Sequence, residues 1–78
     1  MQLNQLEDAL KYYEKAATMH TNNYSTPRYL FKAGLVALKL NKPALAQTYF
    51  ETIENDYPDS EEAKKAPLYK NTAAVRTK

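Results

Sequence analysis

PRYLFKAGLVALKLNKPALAQTYFETIENDYP, residues 27–58, decides the fold. From Leu30 to Leu40 it is apolar on nearly every side, and a helix of that kind is covered on more than one face. Thr26 supplies an expected N-cap and Pro27 the first helical residue, where a missing N–H costs nothing because it would be unpaired anyway. Asn41-Lys42 leaves a two-residue link before Pro43 opens a second helix, so the two fold back as an antiparallel hairpin. In that second helix Ala46, Phe50, Ile53 and Tyr57 recur at steps of 4, 3 and 4 and make one apolar face. Pro58 closes it. Gly34 in mid-helix costs about 1 kcal/mol relative to alanine. Close approach by a neighbouring helix is expected to offset that cost.

Working outward, the hairpin has a partial echo 37 positions earlier: Leu3-Asn4 is answered by Leu40-Asn41, Ala9 by Ala46, Tyr12-Tyr13-Glu14 by Tyr49-Phe50-Glu51, and Ala16 by Ile53. A repeat of this length marks one supersecondary unit used more than once and stacked for stability. The spacing predicts a first helix from about Gln5 to His20, with Leu6, Ala9, Tyr13, Ala16 and His20 on one face. Thr21-Asn22-Asn23 breaks it with turn-forming residues. A last segment, about Glu61 to Thr77, follows Ser60 as N-cap and carries a narrow stripe of Ala63, Ala66, Tyr69 and Ala73. Pro67 is expected to kink it or to delay its start to about Ala66. The expected fold is all-α, four helices in antiparallel hairpins. The chain is expected to begin partway through a repeat and to be a piece of a longer protein.

Composition bounds the chemistry. Seventy-eight residues make one small domain, near the lower size limit for a self-sufficient core. The net charge of +2 is too slight to imply a nucleic-acid or anionic-membrane partner by itself. Cysteine is absent, which removes disulfide and thiolate chemistry. No apolar run approaches the roughly 18 residues a membrane span needs. One glycine cannot build a glycine-rich phosphate loop. His20, the single histidine, lacks the companions that a base or a metal ligand needs, so it reads as a helix-end or interface residue. Glu61-Glu62 and the pair Glu54 and Asp56 read as first-turn acids and a solvated helix end rather than as catalytic carboxylates. No catalytic, metal-binding or cofactor-binding residue is expected, and no small-molecule substrate.

The central residues resemble the tetratricopeptide repeat (TPR). Leu30 stands at its first large position, Ala33-Gly34 at its small-residue pair, and Ala37 where an aromatic usually falls. Ala46 and Phe50 match its second helix and Pro58 its closing proline. The resemblance implies an α-α superhelix in three parts: residues 1–26 hold the second helix of an incomplete unit, 27–59 a full unit, and 60–78 a cap or the next first helix. The Tyr57-Pro58-Asp59-Ser60 run, followed by Ala63 and Ala66, is similar to TPR-like repeats of bacterial cell-envelope proteins. A membrane-tethered parent on the periplasmic side is therefore expected, with a cytoplasmic one as the alternative.

The resemblance also implies a function: non-enzymatic scaffolding, with a peptide or partner helix held on the concave face that the first helix of each unit lines. The groove residues it implies are Arg28, Phe31, Leu35, Leu38 and Lys39 on one helix and Lys65, Leu68, Thr72 and Arg76 on the next. The lysine, asparagine and arginine pattern of the carboxylate-clamp class is not reproduced. For Phe31, Leu35 and Leu38 plain core packing is the competing role. The alternative function is a nucleic-acid-binding helical domain using the basic residues and seven tyrosines, although Tyr13, Tyr49, Tyr57 and Tyr69 fall on or beside inward stripes. A solenoid normally needs three or more repeats, so the apolar faces are further expected to find cover by homo-oligomerisation or helix exchange.

Overall fold

A computed structural model describes residues 3–19 and 22–76. Within them lie four helices, α1 (Leu3–Met19), α2 (Ser25–Lys39), α3 (Pro43–Asp56) and α4 (Glu61–Arg76), and no strand. Each helix packs on the next in the chain, and α2 also touches α4. Among the described residues the α1 backbone stays apart from α3 and α4, and only side chains such as Glu14, which faces Tyr49, reach across to α3.

The α2–α3 hairpin turns on Asn41, whose φ of 60° lies in the left-handed region. Asparagine tolerates that region better than other residues with a side chain. The Lys42 N–H reaches back to Ala37 O at 2.8 Å and the Asn41 N–H to Leu38 O at 3.1 Å. This is a Schellman closure, which satisfies carbonyls that the end of a helix leaves open.

At the other end of the molecule two polar turns start α2 and α4. The sequence places the start of α2 at Pro27 with Thr26 as cap, but the helix begins at Ser25. The reason is Asn22, whose Oδ1 accepts the N–H groups of Tyr24 (2.9 Å) and Ser25 (2.6 Å). Thr26 Oγ1 in return accepts the Asn22 N–H at 2.9 Å. Ser60 caps α4 as expected, its Oγ accepting the Ala63 N–H at 3.0 Å. With that cap and Glu61-Glu62 in the first turn, α4 starts at Glu61 and not at Ala66. The helix continues through Pro67, which is exposed to solvent.

The core is small and centred on α3. Phe50 and Ile53 are fully buried, as are Ala33, Ala37, Ala46, Ala66 and Ala73. Gly34 lets the Phe50 ring lie directly on the backbone of α2: a Cβ there would stand 2.6 Å from Phe50 Cε1 and Cζ. Phe31, Phe50 and Tyr69 form an aromatic cluster with centroid separations of 5.2–5.8 Å, tying α2, α3 and α4 together. On α1 the buried stripe is Leu6, Leu10 and Ala17, with Tyr13 packed beside it. Ala9 and Ala16 are only half-buried. The stripe is rotated from the expected one because the α1 backbone packs closely against α2 only, whereas α3 is held between α2 and α4. His20, which was expected to close that stripe, lies outside the described residues.

Candidate functional site

Seven basic and two acidic residues fall on α2 and α4, while α1 and α3 hold six acidic and two basic ones. The charge is therefore sorted by helix, although the net charge of +2 conceals it. The starts of α2 and α4 lie at the same end: Arg28 shares a cleft of about 260 Å³ with Glu61 and Glu62, and further along Phe31 meets Tyr69. The two helices thus run in the same direction, each returned by α3.

On α2 the stripe Arg28, Phe31, Leu35, Lys39 steps by 3, 4 and 4, the spacing of one helix face. On α4 the stripe Lys65, Leu68, Thr72, Arg76 repeats those steps 37 residues later. Arg28 and Lys39 are exposed and Leu35 is half-buried. Lys65 and Thr72 are exposed, and Leu68 is 69% exposed despite its size. Thr72 Oγ1 donates to Leu68 O at 3.2 Å, which spends its hydroxyl on its own helix. The Arg28 guanidinium lies 5.1 Å from the Tyr24 ring centroid. Arg76 belongs to α4, but its side chain lies outside the described residues.

Two expected groove residues are placed differently. Leu38 is 9% exposed and belongs to the buried core, so it is a packing residue and not part of an open face. Phe31 is half-buried, its ring meeting Phe50 and Tyr69 edge to face. Both helices are covered on that side by α3, and α2 is covered again by α4. The residue the sequence reading passed over is Val75, also 69% exposed. It stands 37 residues after Leu38, so the repeat offset was enough to find it.

The remaining polar chemistry is structural. Lys70 Nζ lies 2.7 Å from Glu54 Oε1, the one ion pair among the described residues. The hydrogen bond to Glu54 raises the Lys70 ammonium above its usual pKa. Tyr49 Oη is buried without a hydrogen-bond partner of good geometry. That burial, with the Glu14 carboxylate facing it from α1, pushes the phenol well above its ordinary value. Among the described residues no three His, Cys, Asp or Glu side chains gather as a metal site, and no helix is long and apolar enough to cross a membrane. The tyrosines do not form an exposed row along α2 and α4. Tyr13 stacks on Tyr29 at 6.5 Å, Tyr69 is in the aromatic cluster, and the exposed Tyr12 and Tyr24 lie on α1 and the α1–α2 turn. A second, open recess of about 580 Å³ lies between α1 and the start of α2, lined by Tyr12, Lys15, Ala16, Met19, Ser25 and Tyr29.

Helical hairpins stacked side by side, with the first helix of one unit beside the first helix of the next, define an α-helical repeat module. In a comparison with protein families, residues 28–60 match the tetratricopeptide repeat family. The match covers α2, the Asn41-Lys42 turn, α3 and the connection up to the Ser60 cap. No curated protein and no solved structure matches the chain.

Proposed function

We propose that this chain is a protein–protein interaction module of the TPR type, a scaffold that takes a peptide or partner helix on the face shared by α2 and α4. Repeats of this kind typically serve as non-enzymatic scaffolds, and the match at residues 28–60 supports that general reading. The observation that carries the assignment of the face is Leu68. A leucine 69% exposed in the middle of a repeat-related stripe holds apolar surface in water that a partner would cover. Leu35 is the half-buried apolar residue of the α2 stripe, and Arg28, Lys39 and Lys65 are exposed on the two helices. The basic side chains would also attract nucleic acid, and Arg28 lies beside the exposed Tyr24 ring, but no second exposed tyrosine accompanies it on α2 or α4 to stack successive bases.

A photo-crosslinking residue placed at Leu68, and separately at the exposed Glu51 on α3, tests this in the cells that make the protein. The expected result is discrete protein adducts from position 68 and none from position 51. Equal labelling from both positions, or no protein adduct from position 68, would show that the α2–α4 face is not the docking face.

A further inference from the structure

The 37-residue repeat holds in space as well as in sequence. Phe50 of α3 lies 5.8 Å from Tyr69 of α4, ring centroid to ring centroid. Their counterparts 37 residues earlier are Tyr13 of α1 and Lys32 of α2, and the Lys32 ammonium lies 5.8 Å from the Tyr13 centroid. So α2 stands to α1 as α4 stands to α3. What differs is the third partner. Phe31 of α2 completes the Phe50–Tyr69 cluster, at 5.7 and 5.2 Å from the two rings. Among the described residues no helix stands to α1 as α2 stands to α3. Burial records the difference: Ala46, Tyr49, Phe50 and Ile53 are all buried on α3, whereas their counterparts Ala9, Tyr12, Tyr13 and Ala16 are all half-buried or exposed on α1. The other end of the row has the reverse deficit. Leu68 and Val75 of α4, the counterparts of Phe31 and Leu38, are each 69% exposed, and among the described residues no helix covers α4 there as α3 covers α2.

We propose that these two faces take each other: α4 of one copy of this chain packs against α1 of a second copy, antiparallel, as α2 packs against α3. The inference rests on Leu68 as a docking residue and names its partner helix. Self-complementarity selects the occupant, since α1 lacks the helix that α4 repeats and α4 lacks the helix that α1 repeats. By that equivalence Leu68 meets Tyr13 and the apolar stem of Lys32 of the second copy, as Phe31 meets Phe50 and Tyr69. Leu68 and Val75 lie two turns apart on one helix face, and both leave water on docking. Asn71 takes the place that Gly34 holds over the Phe50 ring. Its side chain blocks so close an approach, so the two helices stand farther apart than α2 and α3, and the contact is weaker than the internal one. Because the two faces differ, the contact is heterologous. Each added copy leaves one face of each kind open, and the assembly grows unless the rotation closes a ring.

The test uses the purified chain with benzoylphenylalanine at position 68. Isotope-labelled and unlabelled chains are mixed, irradiated and digested with trypsin. Adducts joining a labelled to an unlabelled chain are expected on the peptide of residues 12–15, which follows Lys11 and ends at Lys15. Light scattering of the parent chain from micromolar to millimolar concentration should give a mass that rises with concentration. Leu68→Glu should weaken self-association by about tenfold or more, because the interface would bury an unpaired charge. The site is exposed, and an unchanged circular-dichroism spectrum and melting curve would show that the variant remains folded. Added in excess to the parent, Leu68→Glu should shorten the assemblies: its intact α1 still covers the parent's α4, and it offers no working α4 face in return. Adducts joining α4 to α4, a monomer mass across the whole range, or no effect of Leu68→Glu on the mass would each overturn the inference. If position 68 captures a different protein in cells while the purified chain stays monomeric, the docking role of Leu68 stands and the self-pairing alone falls.

Discussion

The Phe50 ring lies against Gly34: the phenyl occupies the space a Cβ at position 34 would need, 2.6 Å from that point. The ring has little room to retreat. It is fully buried and flanked by Phe31 and Tyr69 at 5.7 and 5.8 Å. Alanine at position 34 would gain about 1 kcal/mol in helix propensity, but the overpacking it introduces costs typically about 1–3 kcal/mol. Gly34→Ala is therefore expected to destabilise the fold, read as a lower urea midpoint. The double variant Gly34→Ala with Phe50→Leu should recover part of that loss relative to the sum of the singles. Strict additivity would mean that the two sites do not meet.

Tyr49 predicts an alkaline limit to stability. Its phenol holds its proton more tightly in the fold than the ordinary value of 10.0. Between those two values the unfolded chain has lost a proton that the folded chain retains, so stability is complete below pH 10 and falls as pH rises above it. The slope from one such group is about 1.4 kcal/mol per pH unit. Lys70, also raised, acts in the same direction because its ammonium is favoured in the fold. Tyr49→Phe should leave stability at neutral pH within about 1 kcal/mol, since the hydroxyl is buried and unpaired. It should flatten the decline above pH 10 without abolishing the part due to Lys70. An unchanged alkaline slope in chemical denaturation would contradict the assignment.

Asn41 carries the positive φ of the α2–α3 turn. Glycine adopts that conformation without steric cost, whereas a β-branched residue pays about 1–2 kcal/mol. Asn41→Gly is thus expected to be neutral or slightly stabilising and Asn41→Val destabilising by about that amount. Thermal melts of the two variants beside the parent provide the measurement.

Ser60 caps α4 through a single side-chain bond to the Ala63 N–H. Ser60→Ala should cost about 1 kcal/mol and Ser60→Gly only a few tenths. Because Ala63 and Ala66 of the following turns are buried against α3, amide exchange should accelerate first in the opening turn of α4.

Most of the helical frame was legible in the sequence because it rests on local rules. The Asn41-Lys42 turn, Pro43 at the start of α3, the Ser60 cap and the Ala46, Phe50, Ile53 face all follow from spacing and from the backbone preferences of single residues. The start of α2 was not, since it depends on an Asn22 side chain reaching three residues forward, and Thr26, a credible cap by type, instead bonds backward. The α1 stripe was misread for a different reason. Which of two adjacent alanine and leucine rows is buried depends on how many neighbours the helix has, a property its own sequence does not contain. The same dependence separates the groove candidates. Leu38 and Val75 occupy equivalent positions in the repeat, and only the number of helices around them buries one and exposes the other.

The brevity of the Asn41-Lys42 turn also bears on the order in which the chain folds. Closing so short a loop costs little chain entropy, and its contacts join residues near in sequence, the condition for rapid folding. The α2–α3 hairpin is accordingly expected to form first and to serve as the template on which α1 and α4 dock. Substitutions at Gly34 or Phe50 should then slow refolding, while substitutions on α1 such as Leu10→Ala should chiefly hasten unfolding. Chevron plots of the two kinds of variant would show whether the nucleus lies at this corner.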